Sequence, residues 1–380
     1  MKVLHINSYY GSSKFYKNLY KNQIKNGLDI QVFVPTPVSF DINEFDYGEY
    51  TTVSKNHSKY DRFIFHIKHQ KIYKDIQEKY NIKDFSIIHA HSLFSNGYIA
   101  MRLKKEYGIP YIVAVRNTDV NLFFKRMIHL RKIGLEILRE AGQIIFLSKP
   151  YKELVIEKYI PQNLRETINS KVSIIPNGID EFWFNNAGSP RQKLYNKLQL
   201  LQIGDIDKNK NIITTISAIE ILLEKGCEIK LNVVGKIKDQ KIFDKIKELE
   251  YVNYLGYVSK EELIKIYRKN DIFILPSIHE TFGLVYAEAM SQGLPVIYTR
   301  GQGFDGQFNE GEVGYSVRYD SAEEIERRVR DIIENYEAIS KNCIAKVNRF
   351  DWDKITNEYI NMYLKMNKRN NRINLYKRID

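Results

Sequence analysis

The sequence predicts an α/β protein built of two doubly wound, Rossmann-like domains, and three observations carry that reading. Short apolar runs alternate with amphipathic segments of helical period along most of the chain. The alternation restarts after a polar stretch, Asn185 to Arg191, that contains Gly and Pro. The length, 380 residues, suits two cores better than one.

Composition narrows the class. The chain is 43% hydrophobic and 27% charged, as in ordinary soluble proteins. Its two cysteines, Cys227 and Cys343, form neither a disulfide framework nor a metal-type spacing, which fits a reducing cytoplasm. No signal peptide and no apolar run long enough to span a bilayer is expected. The net charge of +12 is unevenly spread: residues 1–180 carry +10, residues 181–364 carry −3 and the last sixteen +5. A polyanionic partner therefore belongs to the first half and the tail.

Taken in order, Val3 to Asn7 reads as a first strand, followed by a Gly/Ser loop with Gly11. Lys14 to Lys25 is a helix with Phe15, Leu19 and Tyr20 on one side, closed by Gly27, and Ile30 to Val34 is the next strand. The turn is not a G-x-G-x-x-G fingerprint, so dinucleotide binding is not indicated. Residues 36–60 lack periodicity and read as a loop or hairpin; Tyr60 to Tyr80 has helical rhythm. Phe85 to Ala90 is a buried strand ending in His89-Ala90-His91, and Tyr111 to Val115 is another. His89 and His91 share one face of a strand; a zinc site there needs further ligands that spacing does not supply. Asn121 to Arg139 mixes Leu122, Phe123, Phe124, Met127 and Ile128 with Lys125, Arg126, Arg131 and Lys132. It is the candidate for a basic amphipathic helix at an anionic membrane, or for a helix packed on the core, with Gly134 interrupting its stripe. Gln143 to Leu147 and Val172 to Ile175 complete the first set of strands, with a helix at Lys149 to Ile160 between them.

The second half repeats the pattern. Strands are expected at Leu198 to Ile203, Ile229 to Val234, Val252 to Gly256 and Ile272 to Leu275. The last of these leads into P-S-I-H-E-T-F-G-L-V-Y-A-E-A-M-S-Q-G-L-P-V-I, Pro276 to Ile297. Glu280 sits in the loop. Gly283 frees the start of a helix with the apolar stripe Phe282, Val285, Tyr286, Ala289 and Met290, and Glu288 follows about two turns on. Gly293 and Pro295 stop it. A strand, a loop acid and an uncluttered helix N-terminus make an anion site at the C-terminal edge of a parallel sheet, with a carboxylate beside it for a sugar.

That string, P-S-x-x-E-x-F-G-x-x-x-x-E-A-M-x-x-G-x-P-V, resembles the nucleotide-sugar site of retaining glycosyltransferases of family four. The resemblance implies the GT-B architecture: two Rossmann-like domains facing a central cleft. It sets residues 1–184 as an acceptor-side domain and 185–349 as the donor-binding domain. A helix over 350–366 crosses back to the first domain, and 367–380 is a frayed basic tail. By the same resemblance Glu280 contacts the transferred sugar and Glu288 the ribose. Phe282, Gly283 and Leu284 line the donor site, and His91, in I-I-H-A-H, reaches the sugar. Gly204 opens a phosphate loop in which Lys210 matches a donor-binding lysine, while Asp205 replaces the family's arginine. Tyr257 lies in the loop that contacts the base. Gly11, Arg116 and Asp119 fall on the acceptor side; one Gly stands for the usual pair, and Arg116 for the usual His. Gly301 to Gly306 is expected as a mobile loop above the site. Asp205-x-Asp207 also spells a metal tripeptide of another glycosyltransferase fold, but no metal is expected.

The implied activity is retaining, metal-independent hexosyl transfer from a nucleoside-diphosphate sugar to a hydroxyl of a glycan or polyprenyl-linked acceptor, in bacterial-type cell-surface polysaccharide synthesis. No cofactor and no nucleic-acid partner is expected; the location is cytoplasmic, at the inner face of an anionic plasma membrane. A sugar-nucleotide epimerase or a phosphorylase would share the architecture. A nucleic-acid-binding protein would account for the pI of 9.2, but the basic half lacks the aromatic motifs of that class.

Overall fold

The computed structural model describes residues 1–11, 14–41, 45–192 and 197–376. It divides into two compact units: residues 1–147, 152–175 and 352 onward form the first, and residues 148–151 with 176–351 the second.

The first unit holds a seven-stranded parallel sheet in the order β3-β2-β1-β4-β5-β6-β7. Its strands are β1 (Lys2–Ile6), β2 (Asp29–Pro37), β3 (Thr51–His57), β4 (Ile87–Ala90), β5 (Tyr111–Ala114), β6 (Gln143–Phe146) and β7 (Val172–Ile174). β1, β4 and β5 are buried almost throughout, as expected of strands covered on both faces. β3 corrects the expected hairpin: it pairs parallel to β2, Val32 opposite Thr51. Its Thr- and Val-rich sequence suits an edge strand, but its half-polar face hides the periodicity.

The second unit repeats the plan with six parallel strands in the order β10-β9-β8-β11-β12-β13. They are β8 (Lys197–Ile203), β9 (Glu228–Val234), β10 (Val252–Tyr254), β11 (Ile272–Leu275), β12 (Val296–Thr299) and β13 (Gly314–Val317). Strand order reverses between β8 and β11, and crevices at such switch points are where open α/β sheets bind ligands.

Three further expectations change. Pro176 to Asn185 packs with the second unit. Asp180 caps the short helix Glu181–Asn185, and Trp183 is buried edge-on against Tyr267. Residues 121–139 do not form one helix. Asp119–Phe124 is a π-helical turn, Ile128–Leu130 a 3-10 turn, and only Arg131–Glu140 is α-helical. Gly134 lies inside that last helix because a Cβ there would stand 2.6 Å from the Phe94 ring. The closing helix runs from Trp352 to Tyr376, past the expected 366; residues 377–380 of the tail lie outside the described residues. Its Trp352, Ile355, Tyr359, Tyr363 and Met366 join the core of the first unit.

Candidate functional site

In the second unit the C-terminal ends of β8 and β11 bring two loops together, and Asn209 stitches them. Its carbonyl accepts from the Ile278 N–H at 2.8 Å, its Oδ1 from the His279 N–H at 3.0 Å, and its Nδ2 donates to the His279 carbonyl at 3.0 Å. Asn211 follows with φ 56, a left-handed conformation that Asn tolerates, and donates to the Pro276 carbonyl at 3.0 Å. Between them Lys210 is held by its backbone: its N–H donates to Asp207 at 2.8 Å and its carbonyl accepts from Gln202 at 2.9 Å. Asp207 is therefore a loop cap.

The result is a Lys210 Nζ to Glu280 Oε2 ion pair of 2.7 Å, with Ser277 Oγ donating to the same oxygen at 3.3 Å. Glu280 is fixed through its main chain by Gln302 Oε1, which accepts from its N–H at 3.0 Å. Glycines keep the floor low. A Cβ on Gly235 would stand 1.9 Å from the Gly204 carbonyl oxygen, and one on Gly303 would stand 1.8 Å from that of Thr281. Gly283, at φ 76, caps the helix Leu284–Ser291, so that helix starts two residues later than expected. The Gly301–Gly306 turn is pinned by Phe304, which is 1% exposed and packs on Tyr286 and Tyr298.

Of the other expected donor residues, Leu284 is half-buried at the first helical position, and Tyr257 is 73% exposed with Lys236 Nζ 4.9 Å from its ring centre. Phe282 corrects its assignment: it is 2% exposed, packed edge-on to Phe350 and Phe304, and belongs to the core. Glu288 is half-buried, with the Tyr267 hydroxyl donating to it at 3.4 Å. Burial raises its carboxyl to about 7, partly offset by Lys260 and that hydroxyl.

In the first unit Gly11, at φ 112, lies under the Tyr47 hydroxyl, which a Cβ would meet at 2.3 Å. Asp119 is 1% exposed, and its carboxylate accepts from the N–H groups of Leu93, Phe94 and Arg116 at 2.9 to 3.1 Å. It ties the β4 and β5 loops together and presents no face to an acceptor. Burial lifts it to about 6 against those three hydrogen bonds. Arg116 is buried, with Nε donating to the His91 carbonyl at 3.3 Å. His91 is fully enclosed and stacked on His89, with His5 Nδ1 at 3.0 Å from its Nε2, so a direct reach to a sugar is closed in this structure. The sequence reading missed His5, Gln302, Asn209 and Asn211; only the N-K-N spelling of residues 209–211 hinted at a structured loop.

These buried groups set an acid limit. Burial pulls His5 down to about 3 and His69 to about 4, so below the ordinary 6.5 the unfolded chain takes up protons that the fold refuses. At pH 5 each costs about 2 kcal/mol. The raised carboxyls of Glu288 and Asp119 work the other way: they strain the fold above their ordinary range, and acid relieves them by about 3–4 kcal/mol together. The two sets nearly cancel, and His57, His89 and His91, all lowered chiefly by burial, tip the balance. The urea midpoint in chelator is expected to fall from pH 7 to pH 5; a midpoint that rises towards pH 5 would show that the histidines titrate normally and that only the carboxyls are shifted.

A second surface lies on the first unit. Tyr60, Phe63, Ile64 and Ile67, on the 3-10 turn Lys59–Phe63 and the start of the helix Phe65–Lys79, are each exposed. Phe65 lies 6.4 Å from Phe123, which joins this patch to the turn bearing exposed Leu122, Lys125, Arg126 and Ile128. Among the described residues no helix is long and apolar enough to cross a membrane.

A floor of glycines, a lysine-carboxylate pair and a helix start meet at the switch point of a parallel sheet on a Rossmann-like unit, chemistry suited to a phosphate and a sugar. Comparison with known proteins gives the family. Residues 9–181 match the Glycosyltransferase Family 4 model and residues 189–350 the model for Glycosyl transferases group 1. The chain belongs to the family-four glycosyltransferases, and its fold is GT-B. It is 26% identical over 364 residues to an uncharacterized glycosyltransferase of Methanocaldococcus jannaschii, covering 93% of this chain and 95% of that one. Among solved structures it is similar to a sucrose-phosphate synthase from Thermosynechococcus elongatus (TM-score 0.74, 17% identity, 96% and 99% covered). It is also similar to the Anabaena protein HepE in complex with UDP (TM-score 0.67, 14% identity, 96% and 100% covered).

Proposed function

We propose that this glycosyltransferase moves a hexosyl unit, with retention of configuration, from a nucleoside-diphosphate sugar to a hydroxyl of a glycan or polyprenyl-linked acceptor. The reading rests on the Lys210–Glu280 pair over the glycine floor. As the glycosidic bond breaks, charge grows on the leaving diphosphate. Lys210 and the amides at the start of the Leu284–Ser291 helix are preorganised to stabilise it. Gly204 and Gly283 let phosphate approach the backbone, and Leu284 supplies the first helical amide. Glu280 then holds the sugar, and Glu288, half protonated at neutral pH, can donate as well as accept towards ribose hydroxyls. The exposed Tyr257 ring serves as a platform for the base. The UDP held by the Anabaena relative supports a nucleoside diphosphate as leaving group. Arg116 and the Gly11 turn belong to the acceptor side. His91 and Asp119 act by holding that side in shape.

A panel of nucleoside-diphosphate sugars, with mass-spectrometric detection of transfer or hydrolysis and NMR of the new anomeric centre, tests this. Product of unchanged anomeric configuration, formed without added magnesium or manganese, is expected. Donor isomerisation without an acceptor, or sugar-phosphate formation from inorganic phosphate, would overturn it in favour of an epimerase or a phosphorylase.

The apolar and basic surface around Phe63, Ile67, Lys125 and Arg126 supports peripheral attachment to an anionic cytoplasmic leaflet, where a lipid-linked acceptor of cell-surface polysaccharide synthesis is presented. The double variant Phe63→Glu, Ile67→Glu is expected to lower sedimentation with phosphatidylglycerol vesicles about 10-fold or more, from the lost apolar insertion and added like charge. Unchanged sedimentation would remove this surface from consideration.

A further inference from the structure

β1 and β4 run side by side in register, with His5 opposite His89. His91 stands two residues past His89 on the same side, its N–H continuing the ladder to the Ile6 carbonyl at 3.1 Å. Three imidazoles therefore meet on one face of the sheet, each with no exposed surface, and one nitrogen from each lies within 4.8 Å of the others. Each ring also keeps a buried nitrogen without a hydrogen-bond partner: His5 Nε2, His89 Nε2 and His91 Nδ1. Three half-satisfied rings in one enclosed cluster are an unusual use of a core.

The geometry points to a buried three-nitrogen site, His5–His89–His91, for a zinc-type divalent cation. His5 Nδ1 and His91 Nε2 are 3.0 Å apart, close to the roughly 3.4 Å edge of a tetrahedron with zinc–nitrogen bonds of about 2.0–2.1 Å. One of these two nitrogens now carries the hydrogen between them. Binding moves that hydrogen to the other nitrogen of the same ring, His5 Nε2 or His91 Nδ1, both of which are open. The rings stay neutral and no net proton is released from them. His89 is oriented from outside the cluster: its Nδ1 is 2.7 Å from the Tyr363 hydroxyl, which also accepts from Gln23 Nε2 at 3.2 Å. With the proton on Nδ1, the Nε2 lone pair is free for the metal. This is the outer-partner arrangement of metal-bound histidines. Burial holds all three rings in the neutral, ligating form. Imidazole donors select zinc, cobalt, nickel or copper over magnesium and calcium. A water or hydroxide would complete the tetrahedral set. The site lies in the first unit, takes no part in the donor chemistry proposed above, and stands or falls without it.

The test uses the full chain, stripped with chelator and then titrated with cobalt(II) or zinc(II) alone. Near-stoichiometric uptake is expected, with an intense visible cobalt spectrum of low coordination number, quenched by zinc and unaffected by magnesium, and a rise in Tm on loading. His89→Gln and His5→Gln should lose the cobalt spectrum and the Tm rise, whereas His129→Gln, an exposed histidine elsewhere in this unit, should keep both. Circular dichroism identifies any variant that fails to fold, and the wild-type titration then decides alone. No spectrum in the folded wild type, or one lost only in His129→Gln, overturns the site.

Discussion

Glu280→Ala is expected to lower kcat for sugar transfer by on the order of 10²–10³-fold, the usual cost of removing one preorganised polar group at a reacting centre. The fold should persist. Among the described residues the Glu280 side chain bonds Lys210 and Ser277, whereas the loop is held through its main chain to Gln302 and through Asn209. Circular dichroism and urea midpoint should match wild type while initial rates collapse. Glu280→Gln separates charge from hydrogen bonding: it keeps the shape, frees the Lys210 ammonium, and should recover part of donor binding but little of kcat. Wild-type turnover in Glu280→Ala would remove the donor-site assignment altogether.

Gly235→Ala is expected to cost a large part of the stability. The backbone there has φ 154, and the new Cβ would stand 1.9 Å from the Gly204 carbonyl oxygen. Neither partner can turn aside, because the Gly204 N–H is itself bonded to the Val234 carbonyl and the Gly235 N–H to that of Gly256. Overpacking and a disfavoured backbone add to about 3 kcal/mol. The urea midpoint reads the stability loss. A weaker nucleoside-diphosphate thermal shift reads damage to the phosphate loop separately. Gly226→Ala, also at positive φ but with open space around it, isolates the backbone contribution.

Most of the fold was legible because buried parallel strands announce themselves. β1, β4, β5, β8, β9 and β11 are apolar runs bounded by turn residues, and the expected ranges match the observed ones within a few residues. β3 was not legible, since an edge strand with a half-polar face has no two-residue rhythm to detect. The 119–140 region failed for a different reason. Its composition suits an amphipathic helix, yet the Asp119 carboxylate, committed to three backbone N–H groups, and the Phe94–Phe124 contact impose a π turn and a break. Donor-site residues close in sequence were readable as a string. Gln302 and Asn209, which hold that string in place, come from other loops; Gln302 carries no local signal, and Asn209 only its place in N-K-N. The enclosure of His91 and Asp119 was equally invisible, because a motif names residue types and says nothing of what later packs over them.

If Lys210 grips the donor diphosphate as proposed above, the Lys210–Glu280 pair has a consequence for turnover. A carboxylate tethered 2.7 Å from the cation is an internal rival to every phosphate that enters. Nucleotide binding must displace it, which weakens affinity for donor and by-product alike. When the diphosphate departs, the carboxylate is ready to take its place, so the half-buried ammonium is never left bare. On that reading the rival is a built-in release device, trading tight binding for a quick exit of the spent nucleotide.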